Sequence, residues 1–318
     1  MAQRQLPLIA ALLCALVGAV AAGGAQAGIY QWTDAQGRVH FGDRAPGDAA
    51  VLTGHGTAPT STDTNGLRFT LTDHGAPMSP ALQQRTEESI RRMVRVYREV
   101  FRLDLRKPLV VDAHLFADQT TLRYWTRDHS GELPGNITGV YLGKQRLVGA
   151  LFDPFHAEDS MQTLVHEANH VILAQMSPRA PLWLHEGLSQ YFEGIALDDG
   201  HLVVHPHEGN DQLIRQMIAH KQLIQLQDYL AIPPARWQQL AHGEGNPVPY
   251  TVAWSLTSFL MSQPLKRQML TAMLQDLEKS DIPPDLAAFV RRYPGGLTVL
   301  EYDWFKWAMQ PAVTQRLD

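Results

Sequence analysis

Residues 166–170 read His-Glu-Ala-Asn-His, a spacing that could hold a divalent metal ion beside a proton acceptor. An α-helix turns once every 3.6 residues, so the side chains of His166 and His170 would leave the same face of a helix. Both imidazoles could then bind one zinc ion at about 2.0–2.1 Å. Glu167 would point about 100° round the helix from His166, where it could accept a proton from water without being a ligand. This arrangement predicts hydrolysis with Glu167 as general base.

A catalytic zinc ion needs a third protein ligand and one open position for water. The sequence offers a carboxylate soon afterwards, in the segment Pro-Leu-Trp-Leu-His-Glu-Gly at residues 181–187. Pro181 could open a second helix, and a helix that folds back against the first would bring Glu186 to the two histidines. The residues alone leave other readings open. The histidines could be core side chains bonded to carbonyl groups, and Glu186 could be an exposed helix residue.

The pattern H-E-x-x-H followed by W-L-x-E-G-x-x-x-Y-x-E resembles the gluzincin zinc metallopeptidases, particularly the bacterial peptidase MA-like families. The resemblance implies that His166, His170 and Glu186 bind one zinc ion per chain and that Glu167 is the base. It also implies a thermolysin-like α+β fold, in which a mixed β-sheet precedes a helical C-terminal part. Three further positions match the pattern: Gly187, Tyr191 and Glu193.

Several positions around these motifs refine what the resemblance implies. Glu193 would orient one of the ligands. Ser189 stands where the family usually has Ala, and His185 stands where the aminopeptidases have Asn. In the aminopeptidases a later Tyr, within Y-x-K-G-A, donates to the oxyanion. Tyr250 occupies the comparable place but lacks the following Lys-Gly, and a purely packing role is the alternative.

The substrate class follows from the same resemblance. Gluzincin substrates usually pair with the edge strand that precedes the H-E-x-x-H helix, and residues 138–151 occupy that place. Aminopeptidases carry G-x-M-E-N there, and its Glu holds the free amino terminus of the substrate. Here Gly139 is followed by Val-Tyr-Leu with no such Glu, which favours an endopeptidase or a narrowly specific peptidase acting on a peptide or protein.

The elements that must position these residues follow an α+β order, with strands first and helices later. Apolar alternation predicts strands over 67–75 and 108–117, and helical spacing predicts helices over 86–101 and 120–127. Residues 135–154 contain two β-rich runs separated by Gly143-Lys144-Gln145, which indicates a hairpin just before the motif helix. Beyond Gly194 the pattern predicts mostly helices, near 209–220, 250–263, 265–278, 284–292 and 297–309.

The N-terminal region predicts export and an accessory segment. Residues 1–27 combine Arg4, an apolar run and an A-x-A end, the pattern of a cleaved signal peptide, with an uncleaved membrane anchor as the alternative. Residues 28–46 predict a β-hairpin and resemble a small domain of unknown function in proteobacterial envelope proteins. Residues 47–66 read as a linker, and 67–318 as the metallopeptidase domain.

The composition limits the kinds of partner that the protein is expected to bind. The formal net charge of -5 argues against a nucleic-acid partner. The single cysteine, Cys14, lies in the predicted leader, so the exported chain has neither disulfides nor cysteine ligands. We therefore expect a periplasmic zinc peptidase without a stable membrane span after cleavage. Two alternatives stay open: an inactive envelope scaffold or peptide-binding module of the same fold, and a hydrolase of cell-wall peptides.

Overall fold

The structure is a computed structural model that describes residues 29–33, 39–42, 56–57, 61–62, 66–105, 108–177, 179–242, 247–279 and 286–318. The predicted signal peptide and much of the predicted linker lie outside these residues, so the domain boundaries stay predictions. None of the helices in the described ranges has both the length and the apolarity needed to cross a bilayer.

Strands and helices follow the predicted α+β order. The strands are β1 Ile29–Thr33, β2 Val39–Gly42, β3 Gly56–Thr57, β4 Ser61–Thr62, β5 Leu67–His74, β6 Leu109–Phe116, β7 Gly139–Leu142, β8 Leu147–Leu151, β9 Ile195–Asp198, β10 His201–Val204 and β11 Gln315–Arg316. The helices are α1 Pro80–Arg95, α2 Gln119–Ser130, α3 Ala157–Met176, α4 Leu182–Glu193, α5 Glu208–Ala219, α6 Leu226–Leu230, α7 Pro234–His242, α8 Val248–Met261, α9 Pro264–Lys279, α10 Leu286–Arg291 and α11 Gly296–Ala308.

A mixed sheet forms the first half of the molecule, in the order β2-β1-β7-β8-β6-β5-β3, with β4 also paired to β5. The central pairs β5–β6 and β6–β8 are parallel, and β7 returns antiparallel to β8. Apolar residues alternate along β5 and β6 because one face of the sheet is buried more deeply than the other. A second, three-stranded sheet has the order β11-β10-β9.

Helices cover both faces of the mixed sheet. Leu122 and Trp125 of α2 pack on one face, against side chains such as Phe116 and Val140. On the other face, α3 contacts β6, β7 and β8, and α1 packs against α3. The helical C-terminal part then continues the same core, with α4 packed between α3 and α8. The α+β prediction, with a mixed sheet followed by helices, is therefore confirmed.

The predicted start of one helix is wrong, and two short helices were not predicted. Helix α1 begins at Pro80 rather than near Thr86, because the Ser79 side chain accepts the Leu82 N–H (3.2 Å) and Pro80 suits the first turn. Thr86 instead lies inside α1, where its hydroxyl donates to the Leu82 carbonyl. The short helices α6 and α7 were not predicted, since 5 and 9 residues carry too few apolar repeats to show a helical period.

The N-terminal hairpin extends the sheet at an unexpected place. Strands β1 and β2 pair antiparallel, as predicted, and the residues between them lie outside the described ranges. Strand β1 also pairs antiparallel with β7, with Gln31 opposite Gly139. The prediction that the segment before α3 offers an edge strand is therefore wrong for this structure, because β1 supplies the hydrogen-bonding partner of β7. Strand β2 in turn contacts α7.

Candidate metal centre

Helix α3 carries the H-E-x-x-H residues through the interior of the molecule. Its apolar side chains pack against the sheet and α1, and this packing holds the helix in place. His166, Glu167 and His170 are all 0% exposed. Polar side chains this deep in a core need partners or a bound ion, because an unsatisfied buried polar group is costly.

Helix α4 brings Glu186 to α3, and a glycine sets how closely α4 packs. Pro181 precedes the first helical residue, and α4 runs from Leu182 to Glu193 as expected. A Cβ atom on Gly187 would lie 2.6 Å from the Ala253 carbonyl oxygen and would also overlap the Thr257 hydroxyl of α8. Only glycine therefore allows this approach, which places Glu186, 2% exposed, against the histidines.

The three predicted ligands converge. One nitrogen or oxygen of each of His166, His170 and Glu186 lies within 4.8 Å of the other two. The His166 Nε2 atom is 3.4 Å from Glu186 Oε2, and the His170 Nε2 atom is 3.8 Å from Glu186 Oε1. Among the described residues, the buried His170 Nε2 and Glu186 Oε2 atoms have no hydrogen-bond partner. Two imidazoles and one carboxylate with lone pairs facing one point fit a divalent cation.

The other nitrogen of each ligand histidine has a partner, as metal-binding histidines usually do. The His166 Nδ1 atom donates to Glu193 Oε1 at 2.6 Å, so Glu193 lies where the family pattern implies an orienting carboxylate. The His170 Nδ1 atom lies 3.3 Å from the Ser189 hydroxyl oxygen. Both rings therefore turn Nε2 towards Glu186, and their planes meet at 75°.

Glu167 lies beside this cluster and is held without a hydrogen bond. Both of its carboxylate oxygens are buried and have no hydrogen-bond partner among the described residues. A Cβ atom on Gly139 of β7 would lie 2.7 Å from Glu167 Oε1, so this carboxylate rests directly on the strand. Burial raises the pKa of Glu167 to about 8, with smaller contributions from the negative charges of Glu186 and Glu193. A bound cation would act in the opposite direction.

The two histidines differ electrostatically. Burial lowers the pKa of His166, but its contacts with Glu186 and Glu193 outweigh this and raise it to about 10. The pKa of His170 is lowered well below its usual value, first by burial and then by the charge of His166. Without a metal, the raised pKa keeps the second ring proton on His166 near neutral pH. A cation must displace that proton from Nε2 to bind.

Tyr250 lies in the first turn of α8, 3% exposed, with its ring edge-on to Trp237 at 5.0 Å. The charge of Glu186 also acts on a second phenol, Tyr229, which the sequence did not indicate. Burial, and then the charge of Glu186, raise the pKa of Tyr229 well above its usual value. The Tyr229 hydroxyl donates to the Pro249 carbonyl at 2.7 Å. The assignment of Tyr250 as oxyanion donor stays a prediction.

Sequence reasoning missed other residues around the cluster. The ring of His185 lies 5.6 Å from that of His170, and burial lowers its pKa to about 4, so it is neutral. Tyr141 of β7 stacks near His170 at 6.3 Å. Tyr97 and Asn169 join the cluster through hydrogen bonds. Asn169 and His185 lie inside the two motifs, which was the available signal for them, whereas Tyr97 is too distant in sequence to be linked to either motif.

The fold and this site define an α+β protein with a buried His-His-Glu group that could hold a metal ion. Comparison with known families adds two partial matches. A family described as "Protein of unknown function (DUF1570)" matches residues 160–284, which include most of α3 and all of α4. A family described as "Domain of unknown function (DUF4124)" matches residues 11–65. A search of curated proteins gave no match.

Proposed function

We propose that the protein is a zinc metallopeptidase of the gluzincin type. One observation carries the proposal: the buried ligand atoms of His170 and Glu186 and both oxygens of Glu167 lie together without hydrogen-bond partners among the described residues. Protein interiors satisfy nearly all such groups. A cation between the ligands and a water beside Glu167 would satisfy them here.

Zinc is the metal that the donor set supports best. Two imidazole nitrogens and one carboxylate oxygen form the ligand set of catalytic zinc in the H-E-x-x-H enzymes. Ligand sets richer in oxygen favour calcium or magnesium, and the predicted exported chain has no cysteine for softer ions. We therefore propose one zinc ion per chain, bound by His166, His170 and Glu186.

The residues around the site can each perform a defined step of peptide hydrolysis. When bound, zinc would polarise the scissile carbonyl and acidify water. Glu167 accepts a proton from the attacking water and delivers it to the leaving nitrogen. Its burial favours the protonated form after the first transfer, because a low-dielectric environment disfavours the carboxylate. Glu193 holds the His166 ring in the orientation that presents Nε2 to the ion.

Tyr250 is the proposed donor to the oxyanion. Tyr250 lies in the first turn of α8, the helix against which α4 packs at Gly187. A phenol from this helix would add a hydrogen bond to the charge that develops on the substrate oxygen.

An extended peptide is the proposed substrate, and β7 is its proposed partner strand. Glu167 rests against Gly139, so a backbone paired with β7 would lie next to the base. In this structure β1 holds that edge of β7, so a substrate could pair there only after β1 separates. The absence of a Glu after Gly139 continues to favour an endopeptidase.

Export to the periplasm is part of the same proposal. It is supported by the leader pattern of residues 1–27 and by the resemblance of residues 28–46 to an envelope-protein domain. The match of residues 11–65 to a separate family supports an accessory domain before residue 67. Cell-wall peptides are then one accessible class of substrate.

A metal-binding protein without turnover is the second candidate. The burial of His166, Glu167 and His170, together with the pairing of β1 on β7, favours it, because a closed site admits no substrate. The intact base favours the enzyme, since a metal held only for structure has no need of Glu167.

Replacement of Glu167 by Gln separates the two candidates. Glu167→Gln keeps the size of the side chain and removes the base, so we expect zinc binding to persist and hydrolysis to fall by about 10²–10⁴-fold. Glu158→Gln is the matched control, because Glu158 lies at the exposed start of the same helix and pairs with Arg85.

Purified protein would be incubated with peptide libraries and with peptidoglycan fragments, and products identified by mass spectrometry. Cleavage that Glu167→Gln abolishes and Glu158→Gln retains supports the peptidase, and the cleaved substrate defines its class. Full zinc content with no cleavage of either substrate class supports the binding protein. Cleavage that Glu167→Gln leaves unchanged contradicts the proposed mechanism.

A further inference from the structure

We propose that Tyr97, Asn169 and Ser189 form a chain of hydrogen bonds that positions His170 for metal binding. The inference rests on the zinc site proposed above, and it does not depend on peptide hydrolysis. None of the three residues is a ligand, and all act through the ring of His170.

The chain is continuous across three segments of the protein. The Tyr97 hydroxyl donates to Asn169 Oδ1 at 2.7 Å. The Asn169 Nδ2 atom donates to the Ser189 hydroxyl oxygen at 2.9 Å, and that oxygen lies 3.3 Å from His170 Nδ1. Tyr97 follows α1, Asn169 lies on α3 and Ser189 lies on α4, so the chain also ties these segments together.

Burial gives these contacts their importance. Tyr97, Asn169 and Ser189 are each 0% exposed, so water cannot replace a lost partner. The amide of Asn169 is held at both ends, by a donor on Oδ1 and an acceptor for Nδ2. Removal of one hydroxyl from such a chain leaves a buried polar group unsatisfied.

The direction of the hydrogen bonds supports one tautomer of His170. If His170 binds an ion through the Nε2 lone pair, its proton must lie on Nδ1. The Ser189 oxygen has two lone pairs, one for the Asn169 N–H and one for the His170 Nδ1–H. The Tyr97 hydroxyl donates to Asn169 Oδ1. The Asn169 amide is thereby oriented with its N–H group towards Ser189.

His166 and His170 are therefore oriented by chemically different partners. A carboxylate, Glu193, holds His166, whereas a neutral chain holds His170. A negative charge beside a ligand makes its ring more basic, while a hydroxyl only orients it. The second arrangement fixes ring geometry without adding a further charge to a site that already has three carboxylates in or beside it: Glu167, Glu186 and the partly buried Glu193.

The backbone at Tyr97 is also unusual. Val96–Val100 form a π-helical turn at the end of α1, in which the Phe101 N–H donates to the Val96 carbonyl at 3.0 Å. Turns of this kind are rare and occur frequently at functional sites. Here the wider turn includes Tyr97, the first donor of the hydrogen-bond chain. The Tyr97 ring packs between Phe101 and Phe192.

The test compares the zinc affinity of conservative variants. Tyr97→Phe removes only a hydroxyl and keeps the ring packing, and Ser189→Ala removes the contact with His170. Tyr191→Phe is the matched control, because the buried Tyr191 hydroxyl donates instead to Gln315 at 2.9 Å. Zinc dissociation constants would be measured on the whole protein by competition with a chromophoric chelator at one pH.

We expect Ser189→Ala to weaken zinc binding about 10–100-fold. Tyr97→Phe should weaken it about fivefold, the effect of one hydrogen bond, and Tyr191→Phe should leave it unchanged. The double variant should bind zinc no more weakly than Ser189→Ala alone, because Tyr97 acts through Ser189. The nitrogen resonance of His170 Nδ1 in the zinc-loaded protein should shift in Ser189→Ala and Tyr97→Phe but not in the control.

Equal effects of Tyr97→Phe and Tyr191→Phe on zinc affinity would overturn the inference, as would additive effects of Tyr97→Phe and Ser189→Ala. If Ser189→Ala does not fold, the two tyrosine variants still decide the question. Zinc binding without peptide cleavage would refute only the peptidase. No zinc binding by the wild-type protein would overturn the zinc assignment on which both proposals rest.

Discussion

At the scale of single residues, the site depends on how tightly Glu167 is confined. Its carboxylate has no hydrogen-bond partner among the described residues, so packing alone sets its position. Gly139 of β7 forms part of that confinement, since a Cβ on Gly139 would lie 2.7 Å from Glu167 Oε1. If Glu167 is the base, as proposed, its activity should be sensitive to small steric changes.

Gly139→Ala should therefore displace Glu167. The added methyl group would lie 2.7 Å from Glu167 Oε1, closer than carbon and oxygen can approach. A misplacement of about 1 Å costs about 10²-fold in turnover, so we expect kcat to fall by that order while zinc content stays unchanged.

Gly149→Ala provides the control for this substitution. A Cβ on Gly149 of the neighbouring strand β8 would meet Trp125 at 2.7 Å, on the sheet face covered by α2. Both substitutions add a methyl group with a similar clash, but only one touches the base. An equal loss of kcat in the two variants, measured on any substrate that the protein cleaves, would show that Gly139 has no particular link to Glu167.

At the scale of secondary-structure elements, the candidate metal centre lies where α3 packs against α4. Helix α3 is fixed by the sheet, and α4 is fixed by its close contact with α8. The absence of a side chain at Gly187 permits that contact, which explains a glycine directly after the third proposed ligand.

Gly187→Ala should destabilise the protein by forcing α4 away from α8. The new methyl group would lie 2.6 Å from the Ala253 carbonyl, which is backbone and cannot rotate away. Overpacking of this kind costs about 1–3 kcal/mol, so the melting temperature should fall by about 2–10 °C. The matched control is Gly209→Ala, whose nearest neighbour is the His207 imidazole at 3.3 Å. A melting temperature no lower than that of the control would contradict this account of the α4–α8 contact.

The sequence predicted the parts of the site that depend on local periodicity. His166, Glu167 and His170 share one helix, and the later pattern with Glu186 implied a second helix that returns to it. The start of α1 was misplaced because helical spacing was counted from the apolar run and the Ser79-Pro80 start was overlooked. The chain from Tyr97 to His170 could not be predicted, because it depends on contacts between residues 72 positions apart.

At the scale of the whole molecule, the N-terminal hairpin and the candidate metal centre are neighbours. Strand β1 pairs with β7, and β2 contacts α7, so the hairpin connects the sheet with the helical part. No local pattern in residues 28–46 specifies which strand they pair with. The sequence therefore predicted the hairpin but not its pairing with β7.

Gln31→Pro should weaken the pairing of β1 with its neighbours β2 and β7, because proline has no N–H to donate and restricts the backbone of the strand. Gln31 lies opposite Gly139, the residue against which the Glu167 carboxylate rests. If a peptide substrate must replace β1, we expect kcat/KM for extended peptides to rise several-fold in Gln31→Pro relative to Gln31→Ala. Identical kcat/KM values for the two variants would show that β1 does not compete with substrate.

The central claim is that His166, His170 and Glu186 hold one zinc ion, and metal content tests it most directly. Elemental mass spectrometry of the purified protein should find roughly one zinc per chain, and His170→Ala and Glu186→Ala should each lose most of it, because each removes one of three ligands. The exposed-residue variant Glu158→Gln should retain all of it. A wild-type protein without stoichiometric metal, or undiminished zinc in His170→Ala, would contradict the claim.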